Sequence, residues 1–351
     1  MSVAGEPSQG ERPPRYLVRS PNPLGDACMS LPAVRALKRS APGAEVSVCC
    51  RANLAPLWAA REEIDEVIPF SRDLNPWQVG RLLRKHGRFD AGVLLPNSFR
   101  SALELRLGGI RKLVGYDRHQ RRLLLQTAVA EPARSPETRH HVHRYLYLIG
   151  KMGIDISHVE DLLAIPKTPT PISGGEKEIH LGVCPGAEYG NAKRYPVERY
   201  AAAIEELRTR RPDVSFRISI FGSPAERGIG DELKALLPGP CENRAGKTSI
   251  DDLVAELQTC HFLATNDTGT MHLAAALGVP TVAIFGSTEP DFTAPIGKVH
   301  RVIRHQVDCS PCFLRECPVD YRCMLRIEPD TVVREMEALL ESGGGMSSER
   351  L

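Results

Sequence analysis

Residues 260–286 read CHFLATNDTGTMHLAAALGVPTVAIFG, and the alternation of apolar runs and breakers along them decides the fold. His261–Thr265 is a short apolar run of the kind that ends a buried strand. The polar turn Asn266–Asp267–Thr268–Gly269–Thr270 has helix-start chemistry: Asp267 or Thr268 can cap free N–H groups, and Gly269 permits a tight bend. Met271–Leu277 is strong helix former, stopped by Gly278 and Pro280. A second apolar strand, Thr281–Phe285, closes at Gly286. This is a β-turn-α-β unit of the sort found in parallel sheets covered on both faces. Its turn sets unpaired N–H groups and the positive end of a helix dipole at the carboxyl end of a strand, which suits an anion, most often phosphate. An ordinary crossover whose Asp and Thr only cap a helix has the same pattern.

The alternation extends in both directions. Strands are expected at 16–19, 46–50, 64–68, 91–95 and 112–116, with helices at 27–39, 53–61, 76–86, 98–107 and 140–152. Residues 166–178, PKTPTPISGGEKE, have linker composition. Beyond them the pattern restarts, with strands at 179–184 and 215–221 and helices at 196–211, 226–236 and 250–258. The expected organisation is a tail at 1–14, a Rossmann-like domain at 15–165, the linker, a second such domain at 179–328, a helix at 329–342 and a tail at 343–351. The last helix is expected to fold back on the first domain.

The chain has 351 residues, enough for two domains, and the composition of a soluble globular protein. No apolar run is long enough to span a bilayer, and residues 1–14 lack the apolar core of a signal peptide. A cytoplasmic location follows. Ten cysteines then point to free thiols or a metal before disulfides. Net charge is +2, but residues 15–150 hold 22 Lys or Arg against 12 Asp or Glu, a net of +10, leaving −8 elsewhere. A basic half suits an acidic partner: nucleic acid, anionic lipid, or a phosphorylated or carboxylated sugar.

Three further stretches carry candidate chemistry. NPLGDACMSLPAVRALK (22–38) places Gly25–Asp26 just after the first strand, where a turn and helix cap are also expected. PGAEYGNAKRYP (185–196) is a glycine-bearing loop with Lys193 and Arg194 ahead of a helix, a plausible diphosphate cradle or a loop with solvated cations. CSPCFLRECP (309–318) opens the series Cys309, Cys312, Cys317, Cys323. Together with Asp267–Thr268–Gly269, His272, Ala274, Ala275 and Pro280, these stretches resemble the ADP-heptose:lipopolysaccharide heptosyltransferase family (glycosyltransferase family 9), most of all its heptosyltransferase II branch. Asn191 stands where that branch has Pro, and Tyr195 where it has Trp.

The resemblance implies an α/β GT-B fold, two Rossmann-like domains with a donor/acceptor cleft between them. It implies an inverting glycosyltransferase that moves L-glycero-D-manno-heptose from ADP-heptose to the first heptose of the lipopolysaccharide inner core of a Gram-negative cell. Asp26 would be the general base on the acceptor hydroxyl. Lys193 would neutralise the leaving diphosphate, electrostatic work other enzymes give to a metal. No D-x-D motif for Mg²⁺ occurs, so metal-independent transfer without a cofactor is expected. Gly186 and Arg194 would line the diphosphate, and Glu226 would bind the ribose, although a helix-start glutamate is equally consistent with its position. Thr248 would lie near adenine, beside a Ser249–Asp252 capping box that needs no ligand. Thr268, Gly269 and Thr270 would offer donors to the phosphates, Asp267 would hold sugar hydroxyls, and His272 would reach the diphosphate or brace its loop.

The four cysteines have spacing compatible with a thiolate zinc or iron site, but only one C-x2-C knuckle is present, and a loop of reduced thiols is preferred. Arg100, Arg118, Arg121 and Arg122 are candidates for gripping the carboxylates or phosphates of a lipid-linked acceptor. Residues 118–125 would alternatively rest on the anionic cytoplasmic face of the inner membrane. No nucleic-acid partner is expected. Rivals are heptosyltransferase I or a protein-directed heptosyltransferase, with the same donor chemistry, and a non-catalytic nucleotide- or metal-binding protein. A hydride-transferring Rossmann enzyme is disfavoured because no G-x-G-x-x-G follows an expected strand.

Overall fold

A computed structural model of the chain describes residues 12–40, 43–133, 135, 138–163 and 177–342. Most of the expected tail 1–14, most of the linker 166–178 and all of 343–351 lie outside them. The chain divides into two units, Met1–Ala164 and Ile165–Leu351. The first holds six parallel strands: β1 (Arg15–Arg19), β2 (Glu45–Arg51), β3 (Glu66–Phe70), β4 (Ala91–Leu94), β5 (Leu113–Tyr116) and β6 (Thr127–Val129), in the order β3-β2-β1-β4-β5-β6. The second holds β7 (Glu178–Cys184), β8 (Ser215–Ile220), β9 (Cys241–Asn243), β10 (Phe262–Asn266), β11 (Thr281–Phe285) and β12 (Arg301–Arg304), in the order β12-β11-β10-β7-β8-β9. Counted from its own first strand, each sheet has the same 3-2-1-4-5-6 order. The strand order therefore reverses between β1 and β4 in one unit and between β7 and β10 in the other, the places where open α/β sheets open a crevice for a ligand.

The chemistry of the strands explains this build. Val46, Val48, Cys49 and Cys50 of β2 and all of β10 are buried, with no polar alternation, because helices cover both faces of each sheet. Residues such as Leu17, Ile68, Val79, Leu83, Leu94, Leu105 and Leu113 make the first core. Each fully buried side chain of that size contributes about 1.5–3 kcal/mol. Three strands absent from the sequence pattern, β6, β9 and β12, are the short outer strands of their sheets.

The helix after β1 starts earlier than expected. It runs Leu24–Ser40, starting three residues early, so Asp26 sits within its first turn and Pro32 within its body. The backbone N–H of Ala27 already reaches Pro23 O at 3.0 Å, and an acid in a first turn complements the helix dipole. The helix Pro329–Ser342 packs against the helix Val197–Arg210 of its own unit. Its stripe Val332, Val333, Met336, Leu339 and Leu340 has helical spacing and enters the second core. Arg210 adds ion pairs to Asp330 at 2.6 Å and Glu337 at 3.1 Å.

Candidate active site

At the switch point of the second sheet, β7 and β10 are paired neighbours, with Thr265 opposite Cys184. Their carboxyl ends therefore deliver two loops side by side, 185–196 and 266–270. Asn266 ties them together. Its Oδ1 accepts from Tyr195 N at 3.1 Å and from the Tyr200 hydroxyl at 3.0 Å, and its Nδ2 donates to Pro185 O at 2.7 Å and Gly186 O at 3.2 Å. The residue is 0% exposed, so all four bonds are made away from water. Sequence reasoning passed over Asn266 as one letter of a polar turn; its place as the last residue of a buried strand was the available signal.

The site's charged centre is the pair Lys193 Nζ–Asp267 Oδ2, 2.5 Å apart. Both side chains are largely buried. Thr288, which follows β11, donates its hydroxyl to the same Oδ2 at 2.8 Å. The Lys193 ammonium also lies 4.6 Å from the centre of the Tyr189 ring, and the Arg315 guanidinium lies 5.1 Å from that ring. Tyr189 is anchored by its hydroxyl donating to Phe313 O at 2.6 Å, and Ala192 N donates to Arg315 O at 3.0 Å. Gly190 makes this approach possible. Its φ is +154°, and a Cβ there would stand 2.1 Å from Arg315 O. The 309–323 segment is thus the outer wall of the Lys193 loop. Around this centre Asn191 Oδ1, Arg194 Nε and Ser287 Oγ are buried without a hydrogen-bonding partner among the described residues. Orphaned polar atoms beside a buried ion pair suit a polar ligand better than a closed core.

The other donor-side residues picked out from the sequence lie in the segments that follow β7, β8, β9 and β10. Gly186 lies under the Glu226 carboxylate, since a Cβ at 186 would meet Glu226 Oε1 at 2.2 Å. Glu226 is buried and its Oε2 accepts from Ser223 N at 2.7 Å, a capping box. Thr268 caps the helix Gly269–Ala276, its Oγ1 accepting from Met271 N at 3.3 Å, which leaves the Asp267 carboxylate to Lys193 and Thr288. Gly269 and Thr270 open that helix, and His272 is buried in its first turn. Arg194 donates to Ala187 O at 3.4 Å. Thr248 is half-buried ahead of the helix Ile250–Thr259, whose Ser249–Asp252 capping box is formed.

In the first unit Asp26 is half-buried on the helix that follows β1. Its Oδ1 accepts from the Tyr145 hydroxyl at 3.2 Å. Burial raises its pKa above the usual carboxylate value, opposed by that hydrogen bond and by the Arg144 guanidinium. Burial and the Asp26 charge push the Tyr145 phenol well above its normal range, so it stays a donor. Tyr145 was not foreseen; its helix was, but nothing in the sequence marks which of its faces meets Asp26.

The candidate acceptor arginines are dispersed. Arg121 is 0% exposed and donates to Tyr116 O at 2.9 Å, Asn97 Oδ1 at 3.1 Å and Pro96 O; burial lowers its pKa to about 10. Arg118 pairs with Glu131 and Arg122 with Asp117. Arg100 donates to Glu104 at 3.0 Å and to Leu74 O. Cys309 is exposed, Cys312 and Cys317 are half-buried and Cys323 is buried, all as free thiols. Among the described residues no group of three or more His, Cys, Asp or Glu side chains is placed to hold a metal ion. Burial and the neighbouring thiols of Cys309, Cys317 and Cys312 raise the Cys323 pKa.

A family model described as glycosyltransferase family 9 (heptosyltransferase) matches residues 77–322. The chain belongs to that family. Lipopolysaccharide heptosyltransferase 2 of Escherichia coli K12 is 33% identical over 353 residues, covering 93% of this chain and 98% of the relative. The solved structure of Escherichia coli ADP-heptose LPS heptosyltransferase II superposes with a TM-score of 0.75 at 31% identity, covering 93% of this chain and 99% of that one. The protein is accordingly a glycosyltransferase of family 9 with the GT-B fold. A more remote likeness, in fold alone, is to the iron-containing heptosyltransferase TibC of enterotoxigenic Escherichia coli, at 14% identity and a TM-score of 0.56.

Proposed function

We propose that this family 9 enzyme transfers L-glycero-D-manno-heptose from ADP-heptose to the first heptose of a lipid-linked lipopolysaccharide inner core, with inversion and without a metal. The observation that carries the donor half is the Lys193–Asp267–Thr288 cluster at the switch point, ringed by the orphaned Asn191, Arg194 and Ser287 atoms. The acceptor half rests on the similarity to heptosyltransferases 2 along nearly the whole chain.

In the reaction the acceptor hydroxyl attacks the anomeric carbon, its proton passes to Asp26, and the bond to the diphosphate oxygen breaks. ADP leaves with both electrons of that bond. The raised pKa of Asp26 makes its carboxylate a better base, and Tyr145 holds its orientation. Lys193 turns from Asp267 to the diphosphate as charge develops there. Asp267, freed and steadied by Thr288, accepts from sugar hydroxyls. Glu226 and Thr248 line the nucleoside, and the backbone of Thr268, Gly269 and Thr270 faces the phosphates. No helix among the described residues is long and apolar enough to cross a membrane; the enzyme meets its lipid-linked acceptor peripherally, at the cytoplasmic face of the inner membrane.

Calorimetric titration with ADP and ADP-heptose, with and without EDTA, tests the donor half. Binding that ignores EDTA and weakens about 10- to 100-fold in Lys193→Ala is expected for loss of a charge-assisted bond. Absence of ADP binding refutes the donor assignment. Product analysis with acceptors ending in Kdo or in one heptose tests the acceptor half, and transfer only to Kdo would refute it.

A further inference from the structure

Beyond Asp267 the second sheet holds an arginine with half of its hydrogen-bonding edge unused. Arg304 ends β12, the edge strand, opposite Phe285, the last residue of β11. Its Nη1 donates to Glu289 Oε1 at 2.7 Å, and the two side chains are only 18% and 19% exposed. Its Nε and Nη2 are buried and have no acceptor among the described residues. Those two N–H groups lie along one side of the guanidinium and point the same way, so they suit a pair of neighbouring oxygens. Glu289 meets Arg304 through Oε1, and its Oε2 makes no hydrogen bond among the described residues. Although Glu289 precedes the helix Pro290–Thr293, its side chain does not cap it. Two hydroxyls on the same segment share the condition of Arg304: Ser287 Oγ and Thr293 Oγ1 are buried without a partner among the described residues. Unpaired buried donors weaken a fold, so four such atoms on one short segment and the strand end beside it are better explained by a ligand than by packing.

The sheet order, β12-β11-β10-β7-β8-β9, says which part of a donor would reach them. In the transferase reading Glu226 and Thr248, after β8 and β9, line the nucleoside, and the loops after β7 and β10 face the diphosphate. The nucleotide then runs along the carboxyl edge of the sheet, and β11 and β12 come next in the same direction. Neighbouring strands are about 4.8 Å apart, so β12 stands about 10 Å beyond β10, on the sugar's side of the diphosphate. The chain links the two places directly. Thr288 donates to Asp267 Oδ2 at 2.8 Å, and Ser287 and Glu289 are its neighbours in sequence. Phe313 N fixes this segment by donating to Ser287 O at 2.8 Å.

Charge selects the kind of oxygen. A phosphate or carboxylate at the Arg304 fork would also meet the negative charge of Glu289. A neutral pair of hydroxyls satisfies both residues, since its lone pairs accept from Nε and Nη2 and one of its protons goes to Glu289 Oε2. The sugar of ADP-heptose carries such a pair outside its ring, on C6 and C7, where a hexose has a single hydroxyl.

We propose that Arg304 and Glu289, with Ser287, hold the exocyclic diol of the donor heptose and make the enzyme select a seven-carbon donor over a hexose. The assignment rests on the donor reading of the Lys193–Asp267 centre and adds the choice of sugar to it.

The test is calorimetric titration of the wild type, Arg304→Ala, Arg304→Lys, Glu289→Gln and Ser287→Ala with three ligands. These are ADP, ADP-heptose, and an ADP-mannose of the same anomeric configuration, whose sugar has the same ring but stops at C6. The wild type is expected to bind ADP-heptose about tenfold or more tightly than ADP-mannose. Arg304→Ala should lose about tenfold or more in ADP-heptose affinity, with little change for ADP-mannose and none for ADP, so that the preference disappears. Arg304→Lys keeps a cation beside Glu289 but not the fork, and should lose most of the preference as well. Glu289→Gln and Ser287→Ala should show smaller losses confined to ADP-heptose. ADP affinity serves as the folding control. Weakening of all three ligands together is what a purely structural role through Thr288 and Asp267 gives, and it overturns the assignment. So does a wild type that does not distinguish the two sugars, or a preference that survives in both Arg304 variants while ADP still binds. Absence of ADP binding by the wild type would refute the donor reading itself, and the assignment with it.

Discussion

Replacing Asn266 by alanine should do more damage than its small size suggests. The side chain makes four hydrogen bonds, to Tyr195 N, the Tyr200 hydroxyl, Pro185 O and Gly186 O, at a position with no exposure to water. Truncation leaves a backbone N–H, a hydroxyl and at least one carbonyl buried and unpaired, each costing about 1–3 kcal/mol. Partial repair by local shifts is expected, so the sum is placed at about 3–5 kcal/mol, the upper range for a single substitution. In a unit of this size, at about 2–4 °C per kcal/mol, that corresponds to a fall in melting temperature of roughly 6–20 °C. The same bonds join the 185–196 loop to β10, so ADP affinity at a temperature where the variant is still folded should fall as well. Differential scanning calorimetry gives the first quantity and isothermal titration with ADP the second. A melting temperature within about 2 °C of wild type together with unaltered ADP affinity would refute the view that Asn266 holds the two loops together.

Asp26→Asn keeps an acceptor for the Tyr145 hydroxyl but cannot take a proton, so turnover should drop by about 10²–10⁴ with ADP affinity preserved. Because the folded-state pKa of Asp26 is raised, ionising it costs the native protein more than the unfolded chain. Its contribution is fully present below the ordinary value of 3.8 and is lost as pH rises through the raised value, so Asp26→Asn should melt above wild type at neutral pH, the gap closing as pH falls toward 3.8. By the same sign, the acid limb of kcat/KM should lie above the ordinary carboxylate range and vanish in the variant; a limb left in place by Asp26→Asn would assign it to another group. Gly190→Ala sets a Cβ against Arg315 O and should weaken ADP binding through displacement of Lys193, with strain of about 1–3 kcal/mol read by calorimetry; unchanged affinity would mean the loop tolerates the shift. Tyr145→Phe removes the hydrogen bond that holds the Asp26 pKa down, so the acid limb of the pH–rate profile should move to higher pH; a limb that stays in place would mean the hydroxyl does not support the carboxylate.

The two parallel sheets were legible because their inner strands are covered on both faces, leaving apolar runs such as Val46–Cys50 and Thr281–Phe285 that turn residues bracket cleanly. The strands that escaped notice, β6, β9 and β12, are three or four residues long, sit at sheet edges and include Thr127, Glu242 and Arg301, so no run forms. In the candidate site, the loop motifs located Asp26, Lys193 and Asp267, but their partners came from elsewhere in the chain. Thr288 lies 21 residues and Tyr145 lies 119 residues from the carboxylates they serve. Such pairings depend on which helix face meets which strand end, and a single sequence carries no mark of them. The arginines make the same point: charge counting found a basic half, whereas only the packing shows that Arg121 is tied to backbone while Arg118 and Arg122 pair with nearby acids.

The bond from Ala192 to Arg315, and those from Tyr195 and Arg199 to Ile327 O at 2.9 Å, have a bearing on biosynthesis. A ribosome releases residues in order, and the first sheet is complete once Val129 has emerged. The Lys193 loop, by contrast, waits through more than a hundred further residues for the carbonyls that fix it. Closing so long a loop is slow, and it comes after the local β/α pieces have formed. A nascent chain would therefore possess a finished first unit and an unfinished Lys193 loop for much of its synthesis, gaining nucleotide affinity only when its last folded segments appear.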